Sequence, residues 1–157
     1  MKDGFKAQMV ATQEFFERST RALTEEDSTY APVEGVYTVA NQVAHSAQTI
    51  DWFMEGAFNS EGFDMDFEGH DRKVREVQSL NEARAWFRKA VENALKTIDE
   101  KSEEEWAAPL AQGAVMGGQP RFSVFYGIAD HTAHHRGALT VYTRGIGKQP
   151  PNPYMDA

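Results

Sequence analysis

The sequence predicts an all-α protein, an antiparallel four-helix bundle with two long loops. Four segments repeat their apolar side chains every three or four residues, which is the spacing of one face of a helix. None of the remaining segments shows the apolar–polar alternation of a half-buried strand. Because 157 residues is the usual length of one domain, we assign residues 1–157 to a single bundle domain.

The first two helices are separated by a stretch of turn-forming residues that includes Pro32. The first is predicted from Lys2 to about Arg21. Thr38 is expected to cap the second, which runs through VANQVAHSAQTIDWFMEGAF and closes near Gly56. We expect the second helix to be buried on two sides, with one side in the core and the other lining a site.

Two long loops flank the third helix. Segment 59–78 is rich in glycine and aspartate and has no clear period, so we expect a functional or mobile loop there. Ser79 and Glu82 form a capping box for the third helix, which should end near Lys101. The second loop covers 108–121, where prolines and glycines are frequent.

The fourth helix is predicted to begin after Ser123, which we expect to be its N-cap. It should run to Gly145, the expected C-cap, because the following KQPPNPY cannot continue a helix.

Composition excludes several classes of site and partner. The chain has no cysteine, so disulfides, cysteine-based metal sites and a thiol nucleophile are ruled out. Its formal charge of −8 argues against nucleic-acid binding. It has neither a signal-peptide pattern at its start nor an apolar run long enough for a membrane span, so a cytoplasmic protein is expected.

The stretch GIADHTAHHRGALTVYTRGIG concentrates histidine within the fourth helix. His131 and His135 are four residues apart and therefore project side by side, an arrangement that can hold one divalent ion. Small residues on the same face, Gly127 and Ala138, are expected to leave open space beside the two rings. The intervening His134 lies to the side of that face.

A third metal ligand is expected from the second helix, where His45 lies on the face opposite the core stripe. On its own, the spacing of His131 and His135 is also compatible with a coincidence that has no link to metal binding, because this spacing is common in helices. We expect His70 to be a packed or surface residue and Trp52 to belong to the core. Asp51 and Asp130 are candidate hydrogen-bond acceptors for the ligand imidazoles.

Two sequence blocks resemble the DinB/YfiT-like superfamily. HTAHHRGALTVYTRGIGKQPPNPY is similar to the family's final helix, whose HxxxHRG pattern falls here on His131, His135 and Arg136. VANQVAHSAQTIDWF is similar to the second helix of the family, whose single metal-binding histidine matches His45. One departure is Ala138, which stands where the family has a glutamine.

The resemblance implies an up-down-down-up bundle, a homodimer, and one divalent metal held by His45, His131 and His135. Superfamily members include S-transferases that use low-molecular-weight thiols, an isomerase that acts on a thiol adduct, and proteins described as metal-dependent hydrolases. The resemblance therefore leaves the substrate open.

Three neutral imidazoles leave at least one coordination position open, as in catalytic metal sites. Such an ion can lower the pKa of bound water or of a bound thiol. Zinc or nickel is favoured, and metal affinity is expected to fall below about pH 6.5 as imidazoles protonate. Two hypotheses follow: a metal-dependent thiol S-transferase or hydrolase acting on a small electrophilic molecule, or a non-catalytic metal-binding or stress-response protein. No general acid or base is evident in the sequence.

Overall fold

The computed structural model describes residues 1–155, so the last two positions of the predicted domain 1–157 lie outside it. It contains α1 (Lys2–Thr20), α2 (Val39–Phe58), α3 (Phe67–Glu76), α4 (Leu80–Glu100), α5 (Glu103–Ala107) and α6 (Val124–Gly145). Within these residues there is no strand, and only one isolated bridge joins Pro109 to Pro120. The predicted all-α class is therefore confirmed.

The four long helices make the main tertiary contacts. Both α1 and α2 pack against α4 and against α6. The second helix is buried on nearly all sides, as predicted, and its side chains fill the centre of the core. The up-down-down-up order of helix directions stays a prediction.

Two of the three predicted N-caps are present. Thr38 Oγ1 accepts a hydrogen bond from the Asn41 amide at 3.2 Å, and Ser79 Oγ accepts one from the Glu82 amide at 3.2 Å. α6 begins directly after Ser123, as predicted, but the Ser123 side chain makes no cap hydrogen bond. Ser123 has helical dihedrals and closes a 3-10 turn, Arg121–Ser123, that leads into α6.

α6 ends at Gly145, as predicted, but the predicted C-cap role of Gly145 is wrong. Gly145 is still helical, and the residue with positive φ is Gly147, at 78°. Glycine is needed at that position because other residues rarely adopt this left-handed conformation. The Gly147 amide donates to the Arg144 carbonyl at 3.0 Å, which satisfies one of the last carbonyls of the helix.

The first long loop is the main correction to the predicted architecture, because it contains α3. Asp66 caps this helix by accepting a hydrogen bond from the Gly69 amide at 2.9 Å. Buried Asn41 donates from Nδ2 to the carbonyls of Val74 and Val77 at 3.0 and 2.8 Å. These bonds fix the end of α3 against α2 and hold α3 over one end of the core.

None of the helices within residues 1–155 has both the length and the apolar character needed to cross a membrane.

Candidate metal centre

His45 of α2 and His131 and His135 of α6 lie together at the interface of these two helices. One ring nitrogen from each histidine lies within 4.8 Å of the others. The rings of His45 and His131 are partly buried, and His135 is buried. The structure thus brings together the three residues that the sequence predicts as ligands.

Two of the three nitrogens already have the spacing found around one metal ion. His131 Nε2 lies 3.2 Å from His135 Nε2. Two nitrogens that each lie about 2.0–2.1 Å from one tetrahedral ion are about 3.3–3.4 Å apart, so these two atoms need almost no movement to share an ion. Within residues 1–155, the buried Nδ1 atoms of His45 and His131 have no hydrogen-bond partner. His131 faces His135 with Nε2, so its unpaired Nδ1 is not the coordinating atom and the fit rests on the spacing of the Nε2 atoms.

Gln42 orients the His135 ring, a role that the sequence analysis did not identify. Its Oε1 lies 2.5 Å from His135 Nδ1. An amide oxygen only accepts, so Nδ1 carries the proton and the lone pair of Nε2 points at the cluster. Gln42 Nε2 donates to the Tyr142 hydroxyl at 3.2 Å, and that hydroxyl donates to the Tyr37 carbonyl at 3.0 Å. A continuous chain of hydrogen bonds therefore runs from His135 to Tyr37.

The predicted acceptors Asp51 and Asp130 do not fill this role. Asp51 Oδ2 accepts from Trp86 Nε1 at 2.8 Å, and Asp130 is exposed on α6. The sequence offered one signal for this role, a glutamine three residues before His45 on a helix expected to be buried on two sides. Only the packing of α2 on α6 shows that its amide faces His135.

All three histidines are held in the neutral form that coordination requires. Burial lowers the pKa of His131 to about 4, with a smaller contribution from His45. Burial and the neighbouring His131 and His45 lower the pKa of His135 to about 3, and burial lowers that of His45. Proton competition with a metal ion is therefore expected at a lower pH than the value of about 6.5 predicted from free imidazole.

Lowering the pH from about 6.5 to about 4.5 is expected to destabilise the chelator-treated protein. The folded-state pKa values lie below the unfolded value, so the unfolded chain binds more protons and stability is lost as the pH falls. Each such histidine contributes up to about 1.4 kcal/mol per pH unit to the slope. Urea unfolding at several pH values measures this slope, which should be smaller in His131→Asn. Equal slopes in the two proteins would contradict the assignment.

A cleft of about 480 Å³ opens beside the cluster. His45 and His131 face it, whereas His135 lies behind them. The other lining residues come from α2, α3 and the segment before α2: Tyr37, Gln48, Thr49, Trp52, Phe53, Phe67, His70 and Asp71. The helix that the sequence analysis missed therefore supplies one wall of the cleft.

Gly127 does not leave open space, contrary to the prediction. A Cβ atom at this position would lie 2.5 Å from the Phe53 ring. Glycine instead lets Phe53 pack directly against the backbone of α6, where its ring lines the cleft. The open volume lies on the side of α3, and it is bounded by Trp52, which the sequence analysis placed in the core.

His70 and His134 stay outside the cluster. His70 lies on α3 and lines the same cleft, and its Nε2 is 3.3 Å from Asp64 Oδ2. His134 is exposed on α6. Both placements agree with the predicted three-histidine set.

Tyr37, Asp71 and Arg75 form a hydrogen-bonded group at the mouth of the cleft. The Tyr37 hydroxyl donates to Asp71 Oδ1 at 2.7 Å, and Arg75 Nε donates to Asp71 Oδ2 at 2.9 Å. These bonds lower the pKa of Asp71, so its carboxylate is ionised at neutral pH. Burial and Asp71 raise the pKa of Tyr37, so its hydroxyl keeps its proton.

Comparison with known proteins agrees with this architecture. The sequence profile of the DinB superfamily matches residues 8–139. The crystal structure of a DinB-like protein from Bacillus cereus ATCC 10987 is similar, with a TM-score of 0.74 and 20% identity over 95% of each chain. No curated protein matches the sequence. Since the superfamily profile covers most of the chain and the same fold is found in a DinB-like protein, the chain belongs to the DinB superfamily.

Proposed function

We propose that this protein binds one divalent metal ion through His45, His131 and His135 and is a metal-dependent thiol S-transferase or hydrolase acting on a small electrophilic molecule. The observation that carries the proposal is the convergence of three neutral imidazoles beside a cleft. When bound, an ion with three histidine ligands keeps open coordination positions and supplies Lewis acidity toward water or a thiol. Zinc or nickel suits these ligands.

The residues of the chain have separate parts in this proposal. Gln42 holds the His135 ring in the tautomer that presents Nε2. Phe53 and Trp52 exclude water from one side of the cleft. Tyr37 and Asp71 lie where a substrate enters and offer it hydrogen-bonding groups.

A non-catalytic metal-binding protein is the second candidate function, and the state of Asp71 favours it. Both carboxylate oxygens already accept hydrogen bonds, and the lowered pKa makes Asp71 a weak base at neutral pH. Among the described residues, no other carboxylate lines the cleft.

The metal-loaded protein is expected to accelerate either thiol transfer to a reactive electrophile or hydrolysis of an activated ester. Glutathione with 1-chloro-2,4-dinitrobenzene and p-nitrophenyl acetate are suitable first probes, followed by other low-molecular-weight thiols. The His131→Ala protein, treated with the same metal, is the control and should match the rate in buffer. Equal rates for the metal-loaded protein, the control variant and free metal would favour the non-catalytic function.

We also propose an up-down-down-up helix order and a cytoplasmic homodimer that binds no nucleic acid and no membrane. The superfamily resemblance supports the helix order and the dimer. The formal charge of −8 supports the absence of a nucleic-acid partner.

A further inference from the structure

Three apolar aromatic side chains, Trp52, Phe53 and Phe67, line the cleft. The Trp52 ring centroid lies 5.0 Å from that of Phe53 and 6.2 Å from that of Phe67. Trp52 Nε1 donates to the Asp64 carbonyl at 2.7 Å, which fixes the orientation of the indole. Phe67 is 54% exposed, so much of its side chain is available to a ligand. A flat apolar group therefore has an aromatic surface to contact a short distance from the metal centre.

The charges around the cleft disfavour an anionic ligand. No lysine or arginine is among the lining residues in the described part of the chain. The guanidinium of Arg75 bonds Asp71 and lies over the Tyr37 ring at 4.8 Å. An anionic group placed away from the metal would thus meet no unpaired cation among the described lining residues.

We propose that the cleft takes an uncharged molecule with an aromatic ring attached to a metal-binding polar group. The aromatic ring of the ligand lies against Trp52, Phe53 and Phe67, and its polar group faces His45 and His131. The inference rests on the metal centre proposed above, and it narrows the small electrophilic substrate to neutral aryl or arylalkyl compounds. The flat apolar surface of the cleft favours an aromatic ring in the ligand, and the metal ion favours a polar group that can coordinate it.

Hydroxamates provide a matched set of probes, because one metal-binding group can carry different substituents. Calorimetric titration of the zinc- or nickel-loaded protein should give an affinity about tenfold or more higher for benzohydroxamate than for acetohydroxamate, since only the former buries a ring. The added carboxylate of 4-carboxybenzohydroxamate should weaken binding relative to benzohydroxamate. Quenching of tryptophan fluorescence by benzohydroxamate gives a second readout.

Phe67→Ala tests the aromatic wall, and Tyr126→Ala is its matched control. Both side chains are exposed, so neither change is expected to unfold the protein. Phe67→Ala should weaken benzohydroxamate binding several-fold and leave acetohydroxamate binding unchanged, whereas Tyr126→Ala should affect neither.

The outcomes distinguish failure of the aromatic specificity from failure of the metal centre. Equal affinity for benzohydroxamate and acetohydroxamate would overturn the aromatic specificity and leave the metal centre intact. Equal affinity of the metal-loaded and chelator-treated proteins for benzohydroxamate would overturn the proposed contact between the polar group of the ligand and the metal ion. Failure of both hydroxamates to bind would overturn this inference together with the open metal site.

Discussion

Replacing His45 with alanine is expected to remove most of the bound metal, and His131→Ala and His135→Ala should have the same effect. Each change removes one of the three converging nitrogens, which lie within 4.8 Å of one another. An ion left with two ligands loses a direct bond, so the affinity should fall by more than the roughly 10–100-fold typical of losing a hydrogen-bond partner of a ligand. Elemental analysis of the purified proteins measures the metal content.

The two remaining histidines provide controls for this experiment. His70→Ala and His134→Ala should retain the metal, because His70 lies on α3 outside the histidine cluster and His134 is exposed. Full metal occupancy in His45→Ala would show that the site is wrongly assigned. Unfolding measurements on each variant distinguish loss of a ligand from loss of the fold.

Gln42→Met is expected to weaken metal binding by about 10–100-fold while leaving all three histidines in place. Methionine preserves the length of the side chain, but its thioether is only a weak acceptor for the hydrogen bond from His135 Nδ1, which lies 2.5 Å from the glutamine oxygen. The ring is then free to rotate or to adopt the other tautomer. Metal affinity measured by competition with a chromogenic chelator checks the expected loss.

Two further variants show whether Gln42 acts through His135. Gln42→Glu keeps an acceptor at the same position and should restore most of the affinity. Tyr142→Phe removes the next hydroxyl along the hydrogen-bond chain and should have a smaller effect than Gln42→Met. If Gln42→Met binds the metal as tightly as the natural protein, Gln42 does not position the ligand.

The histidine cluster was predictable because its residue types are distinctive and helical spacing fixes their directions. His131 and His135 had to project from one face of α6, and His45 had to project from α2. Gln42 was not predictable in the same way, since a buried glutamine has many potential partners. The relative rotation of α2 and α6, which is set by packing, brings its amide to His135.

The wall of the cleft was missed for a different reason. In α3, Val74 is the one buried apolar side chain of ten residues, so no apolar period marks the helix in the sequence. Its position depends on hydrogen bonds from Asn41, which lies more than thirty residues earlier in the chain. Gly127 was misinterpreted because a small residue shows where a neighbour can approach and not whether one does. Phe53 occupies that space.

The hydrogen-bond chain from His135 to Tyr37 has an entropic consequence. Its bonds join side chains and backbone of the protein to one another, and none of them uses the Nε2 atom of His135, which faces the cluster. The rotamer freedom of Gln42, Tyr142 and His135 is therefore lost when the chain folds and not when an ion arrives. Small zinc domains fold only with their metal, because binding must order the ligands as well. Here a shortage of metal should leave an intact fold that can take up the ion later without refolding.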